Sequence, residues 1–130
     1  GAPFMSQKPA VYAELLAKRM AENNTRCILL NTGWSGGPYG KGDRMSLKAT
    51  RALLNAALNG DFDDVELHTE PTLGVKMPAT CAGVDDAILN PRDTWDDPEA
   101  YDEAAASLRD MFRANFEKQN YAALGISPAM

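Results

Sequence analysis

An α/β fold is what this sequence predicts, and three features in succession predict it. Cys27-Ile28-Leu29-Leu30 is a short apolar run that reads as a strand buried on both faces. A glycine-dense loop from Gly33 to Gly42 follows, and Ser46 then opens a helix. Strand, glycine loop and helix, in that order, is how α/β proteins bring backbone amides against a nucleotide. The expected architecture is a few strands packed with about three main helices.

The first helix is expected over about residues 9 to 22. Pro9 suits a first helical turn. Val11, Tyr12, Leu15, Leu16 and Met20 recur at helical spacing, with Glu14, Lys18, Arg19 and Glu22 on the wet face. Asn23 and Asn24 end it, because asparagine accepts the left-handed conformation of a helix stop. The predicted strand, Arg26 to Asn31, comes directly after. The second helix is expected from Leu47 to Asn59, with Ser46 as N-cap and Gly60 as stop. Ala49 rules out a reciprocal capping box. Leu47, Leu54 and Leu58 mark the expected buried stripe, with Thr50 on the same side. Asp61, Asp63 and Asp64 belong to an exposed turn.

Val65 to Thr69 and Leu73 to Met77 read as short strands broken by Pro71, with Pro78 closing the second. Cys81 to Asn90 is loop, with one helical turn at Asp85 to Leu89. Pro91-Arg92-Asp93-Thr94-Trp95 is a turn with an aromatic anchor. In the last helix Asp97 caps, Pro98 takes the first position, and Tyr101, Ala104, Ala105, Leu108, Phe112 and Phe116 form one stripe. Residues 119–130 read as a tail.

Composition narrows the function classes. The chain has 130 residues, 45% hydrophobic and 24% charged, which suits one globular domain. Its net charge of -5, with carboxylates spread along the chain, argues against nucleic-acid or anionic-membrane binding. No apolar run approaches the ~20 residues that span a bilayer. Two distant cysteines, Cys27 and Cys81, fit a reduced, cytoplasmic setting. Cys27 is expected inside, in the strand. A metal site is not expected, since His68 is the single histidine and no ligand cluster surrounds it.

The glycine loop is either a surface loop or a ligand loop. It is not a P-loop: Gly36 to Gly40 is one residue short of that spacing, and Gly42 follows Lys41. Trp34 is a lid or a packing anchor. Arg44 lies two residues before the Ser46 cap, where a guanidinium can stack on a planar base, reach an anion or simply stay solvated. Thr50, one turn into the helix, contacts a ligand or bonds the carbonyl four residues back. Lys41, Lys48 and Arg51 add positive charge. His68, on a short strand, is read as a satisfied structural histidine before a base. No paired catalytic carboxylates and no nucleophile triad can be assembled. The loop and its helix therefore read as one side of a nucleotide site, with the groups that do chemistry outside this chain.

Several stretches also carry a family likeness. Asn31-Thr32-Gly33-Trp34, the glycine loop, Arg44-Met45-Ser46-Leu47-Lys48 and Thr50-Arg51-Ala52 resemble the C-terminal part of ATP-dependent phosphoenolpyruvate carboxykinase. So do Gly1-Ala2-Pro3-Phe4, Ile88-Leu89-Asn90-Pro91-Arg92-Asp93-Thr94-Trp95 and Asn115-Phe116-Glu117-Lys118, in the right order. The resemblance implies that residues 1–130 are the C-terminal part of that enzyme's nucleotide-binding domain. It implies a parent that converts oxaloacetate and ATP to phosphoenolpyruvate, carbon dioxide and ADP, an early step of gluconeogenesis. Decarboxylation there leaves an enolate whose oxygen attacks the γ-phosphoryl, a transfer catalysed by positioning and by charge neutralisation.

The family's P-loop, substrate arginines and ligands for magnesium and manganese match nothing here and are expected upstream of Gly1. What carries over is the adenosine side: Arg44, Met45 and Thr50 match the family's nucleotide-contacting positions. Lys8 and Asp43 depart from it, where relatives often have histidine and a basic residue. The expected partners are ATP and the N-terminal remainder of the same enzyme, and the chain alone is expected to be inactive. The surface facing that remainder should be apolar and exposed. The alternative is a non-catalytic, stand-alone nucleotide-binding or scaffold module, which would start at its own Met and have a self-sufficient core.

Overall fold

Helix ends in this chain are set by local chemistry. A computed structural model describes residues 4–126, for Leu124 the backbone alone. The first three residues of the Gly1–Phe4 stretch and the last four of the expected tail lie outside the described residues. The chain divides into two compact units, residues 1–28 with 110–130, and residues 29–109.

In the first unit, α1 spans Pro9–Asn23 and stops at Asn24, which is left-handed with φ 48°. None of its residues is buried. The expected stripe is present but open to solvent: Val11, Tyr12, Leu15 and Leu16 are all exposed. Tyr12 is held instead through its hydroxyl, which accepts from the Gln7 amide at 3.4 Å and lies 3.3 Å from Ser6 Oγ. Those bonds lower the pKa of the Tyr12 hydroxyl. The end of the last helix and a 3-10 turn at Tyr121–Leu124 meet through an edge contact of Phe116 on Tyr121, centroids 5.6 Å apart.

The second unit holds two small antiparallel sheets. In one, β1 (Trp34–Ser35) pairs with β2 (Asp43–Arg44), in the register Trp34 opposite Arg44. In the other, β3 (Leu67–Thr69) pairs with β4 (Lys76–Pro78), His68 opposite Met77. Glu70 organises the hairpin between them. It is 4% exposed, and its Oε2 accepts from the amides of Thr72, at 2.9 Å, and Leu73. Two residues expected as strand ends, Val65 and Leu73, fall outside the ladder, which is three residues long on each side.

Between the sheets α2 spans Leu47–Asn59, capped by Ser46, whose side chain accepts from the Ala49 amide at 3.1 Å, and stopped by left-handed Gly60. Then come α3 (Asp86–Leu89, capped by Asp85), a 3-10 turn at Pro91–Thr94 and α4 (Pro98–Lys118). Asp97 Oδ1 accepts from the Glu99 and Ala100 amides, as its capping role requires. The core gathers Leu53, Ala56, Cys81 and Leu89, with Leu30, Met45, Phe62 and Val84 packed against it.

Three expectations are corrected. Residues 26–31 form no strand, and Cys27, Ile28 and Leu29 are exposed, Leu29 to 89%. Among the described residues no strand forms a ladder with this segment, and a strand without a ladder partner has no neighbour to cover its outer face. Only Leu30 turns into the core. The buried cysteine is Cys81, not Cys27. Finally, α2 buries Ala49, Leu53 and Ala56, while Leu47, Leu54 and Leu58 are exposed. At 100° per residue those leucines lie roughly 100–140° around the axis from Leu53. The helix thus carries two apolar faces, and the alanine-lined one allows the closer approach. Similarly α4 buries Tyr101 and Ala105, whereas Ala104, Leu108 and Phe112 on its expected stripe are exposed.

Candidate functional site

The glycine loop is closed by backbone. The amides of Lys41 and Gly42 donate to the Pro38 carbonyl at 3.0 and 3.1 Å, and the two strands of the first sheet clamp its ends. Gly42 has no space for a side chain: a Cβ there would collide with the Ser35 carbonyl and the Gly37 backbone. Gly36, at φ +79°, occupies a conformation that favours glycine, and a Cβ on it would sit 3.1 Å from the Thr94 carbonyl oxygen. The loop therefore folds onto itself and against the 91–94 turn. Trp34 and Tyr39 meet edge to face at its outer side, centroids 5.1 Å apart, and both are exposed. Trp34 packs on a loop residue, not on the core.

Beside the loop an open cleft of about 330 Å³ runs along the start of α2. Ser35 and Gly36 line it from the loop, Asp43 to Ser46 from the strand and cap, and Ile88 and Thr94 from the far wall. Small-molecule sites begin at roughly this volume. Arg44 is exposed at its edge, and among the described residues its guanidinium has no hydrogen-bond or ion-pair partner. Met45 is fixed from two sides. Its amide donates to the Gly33 carbonyl at 3.1 Å, and its side chain packs on the core. Ser46 Oγ is committed to its cap.

Of the three residues singled out from sequence, Arg44 and Met45 share this cleft, and Thr50 does not line it. Thr50 is half-buried in the first turn of α2, its amide donating to the Ser46 carbonyl at 3.0 Å. Ile88 and Thr94 were not singled out as site residues. They come from a stretch read as a helical turn and a turn with an aromatic anchor, 52 or more positions after Gly36.

The far wall is itself braced. Arg92 forks onto Asp102 of α4 through two bonds of 2.9 Å. This pairing raises the pKa of the guanidinium and lowers that of the carboxyl. Trp95 meets Tyr101 edge to face, centroids 5.7 Å apart. Burial, with the Glu70 carboxylate nearby, pushes the Tyr101 hydroxyl above its ordinary pKa.

His68 lines a second open cleft, of about 450 Å³, with Asp86, Asn90 and Asp93. Its Nε2 is buried and, among the described residues, without a hydrogen-bond partner, so the expectation of a satisfied histidine does not hold. Among the described residues no group of three or more His, Cys, Asp and Glu side chains is placed to hold a metal ion, and no helix is long and apolar enough to cross a membrane.

A family model described as phosphoenolpyruvate carboxykinase matches residues 1–87. The phosphoenolpyruvate carboxykinase (ATP) of Pelobacter propionicus is 47% identical over 131 aligned residues, covering 100% of this chain and 25% of the relative. Those of Moorella thermoacetica and Brucella anthropi are 52% and 53% identical over 118 residues, 91% of this chain and 22% of each relative. The chain thus spans about a quarter of the length of these relatives.

Proposed function

The chain belongs to the phosphoenolpyruvate carboxykinase (ATP) family, and from that premise we propose that it contributes the adenosine side of an ATP site, with Arg44, Met45 and Thr50 as nucleotide contacts. The observation that carries this reading is the unpartnered guanidinium of Arg44 at an open cleft beside the N-terminal end of α2. A guanidinium so placed offers a flat cationic face to a base and donors to an anion. The positive end of the thirteen-residue α2 adds to the attraction for phosphate, and Asp43 subtracts from it. Met45, clamped by the core, gives an apolar floor.

In the parent enzyme the family implies, ATP and oxaloacetate yield phosphoenolpyruvate, carbon dioxide and ADP. Residues 1–130 form the C-terminal part of its nucleotide-binding domain. Among the described residues no cluster of three or more His, Cys, Asp and Glu side chains is placed to hold a metal ion, and no metal-dependent step is assigned to this chain. The transferring groups belong to the remainder of the enzyme, which is the proposed partner, in a cytoplasmic setting. By itself the chain does not turn over.

Backbone amide shifts recorded during an ATP titration of the 130-residue chain test the site. Shifts concentrated at Gly36, Arg44 to Ser46 and Thr50 are the expected result. Shifts scattered over the chain, or gathered around His68, would overturn it.

A further inference from the structure

One hydrogen bond ties the glycine loop to a side chain far away in sequence. The Gly36 amide donates to Thr94 Oγ1 at 3.0 Å, across 58 positions. The same hydroxyl donates its proton to the Pro91 carbonyl at 2.7 Å. That second bond fixes which way the hydroxyl points, because a hydroxyl has one proton to give and lone pairs to receive. With the proton committed to Pro91, a lone pair is left facing Gly36. Each bond polarises the other.

The turn that carries Thr94 is tied to its neighbours. It is pinned to α4 by the Arg92–Asp102 fork and the Trp95–Tyr101 contact. The backbone of Gly36 lies close to the Thr94 carbonyl, whose oxygen would be 3.1 Å from a Cβ placed on Gly36. Both residues line the cleft that Arg44 borders.

We propose that Thr94 is a positioning residue: its hydroxyl ties the Gly36 amide to the 91–94 turn and so sets one wall of the cleft that Arg44 borders. A braced chain then runs from α4 through the turn to the loop. The tie itself is a matter of geometry; its consequence for affinity rests on the nucleotide reading above. Threonine and valine are close in shape, so Thr94→Val removes both bonds and leaves the packing nearly unchanged. Thr94→Ser keeps the hydroxyl.

The test combines amide hydrogen exchange with ATP titration on the 130-residue chain and the two variants. In Thr94→Val the Gly36 amide should exchange about fivefold faster or more, the factor that one neutral hydrogen bond contributes. Leu53, in the core face of α2, should keep its protection. ATP should bind Thr94→Val more weakly by a similar factor, and Thr94→Ser should restore both readouts. Unchanged exchange at Gly36 in Thr94→Val would remove the tie. Faster exchange with undiminished ATP affinity, in a chain where Arg44→Ala does lose affinity, would remove the positioning role. If the unsubstituted chain binds no ATP, the nucleotide reading fails; faster exchange in Thr94→Val, reversed in Thr94→Ser, then still upholds the tie. Should Thr94→Val also lose protection at Leu53, the same comparison is read on Thr94→Ala.

Discussion

Arg92 and Asp102 show what one pair of side chains does for the cleft. Their fork holds the turn whose Thr94 faces the glycine loop. The pair is half-exposed, so water screens it and its worth is small, but its sign with pH is definite. Asp102 has a folded-state pKa below the ordinary 3.8. Its contribution to stability is therefore fully present above that value and is lost as pH falls through the lowered one. Urea midpoints of the chain and of Asp102→Asn should differ at neutral pH and converge in acid. Midpoints that stay equally far apart at every pH would show that the fork is not the cause. Single residues also mark where sequence reasoning stops. The place of Arg44 two residues before a helix cap was legible, because it is a local fact. Cys27 was expected inside and is exposed, because burial depends on what covers a residue and no spacing encodes that.

Elements were legible where their ends are chemical. Ser46, Gly60, Asn24 and the Asp97-Pro98 pair set their helix termini where expected, each through a bond or a backbone conformation within a few residues. Replacing Ser46 by Ala leaves the Ala49 amide without its acceptor. The substitution should lower stability by about 1 kcal/mol, read as a shift in urea midpoint with an unchanged slope. No shift would mean that solvent satisfies that amide equally well. The faces of elements were less legible. Helix α2 offers two apolar stripes, and periodicity alone favours the one with larger side chains, Leu47, Leu54 and Leu58. The core takes the other, where Ala49 and Ala56 flank Leu53. The segment at 27–30 fails as a strand for a related reason: an apolar run says that a strand wants neighbours, not that the chain contains them. The part of the site supplied by Ile88 and Thr94 was hidden likewise. Nothing near Thr94 points to Gly36, because their meeting depends on how the whole second unit folds.

For the molecule as a whole, the exposed apolar surface and the family likeness lead in one direction. Leu29, Leu47 and Leu58 are 89%, 72% and 76% exposed, and the chain covers about a quarter of its relatives. Apolar side chains left open in a group invite contact. Sedimentation velocity should show the chain associating as concentration rises, and a Leu54→Ser, Leu58→Ser double variant should associate less. Equal behaviour of the two would place the sticky surface away from α2. The proposed occupant of that face is the remainder of the carboxykinase, to which we also assign the groups that move phosphate.

The adenosine contact stands or falls on Arg44, an exposed side chain outside the core, so its removal should not disturb the fold. Titrating ATP into the chain and into Arg44→Ala by calorimetry should give saturable binding to the first and at least about tenfold weaker binding to the second, the loss of ~1.4 kcal/mol that a charge-assisted contact can supply. Equal affinities, or no binding by either chain, would contradict an adenosine site at this cleft.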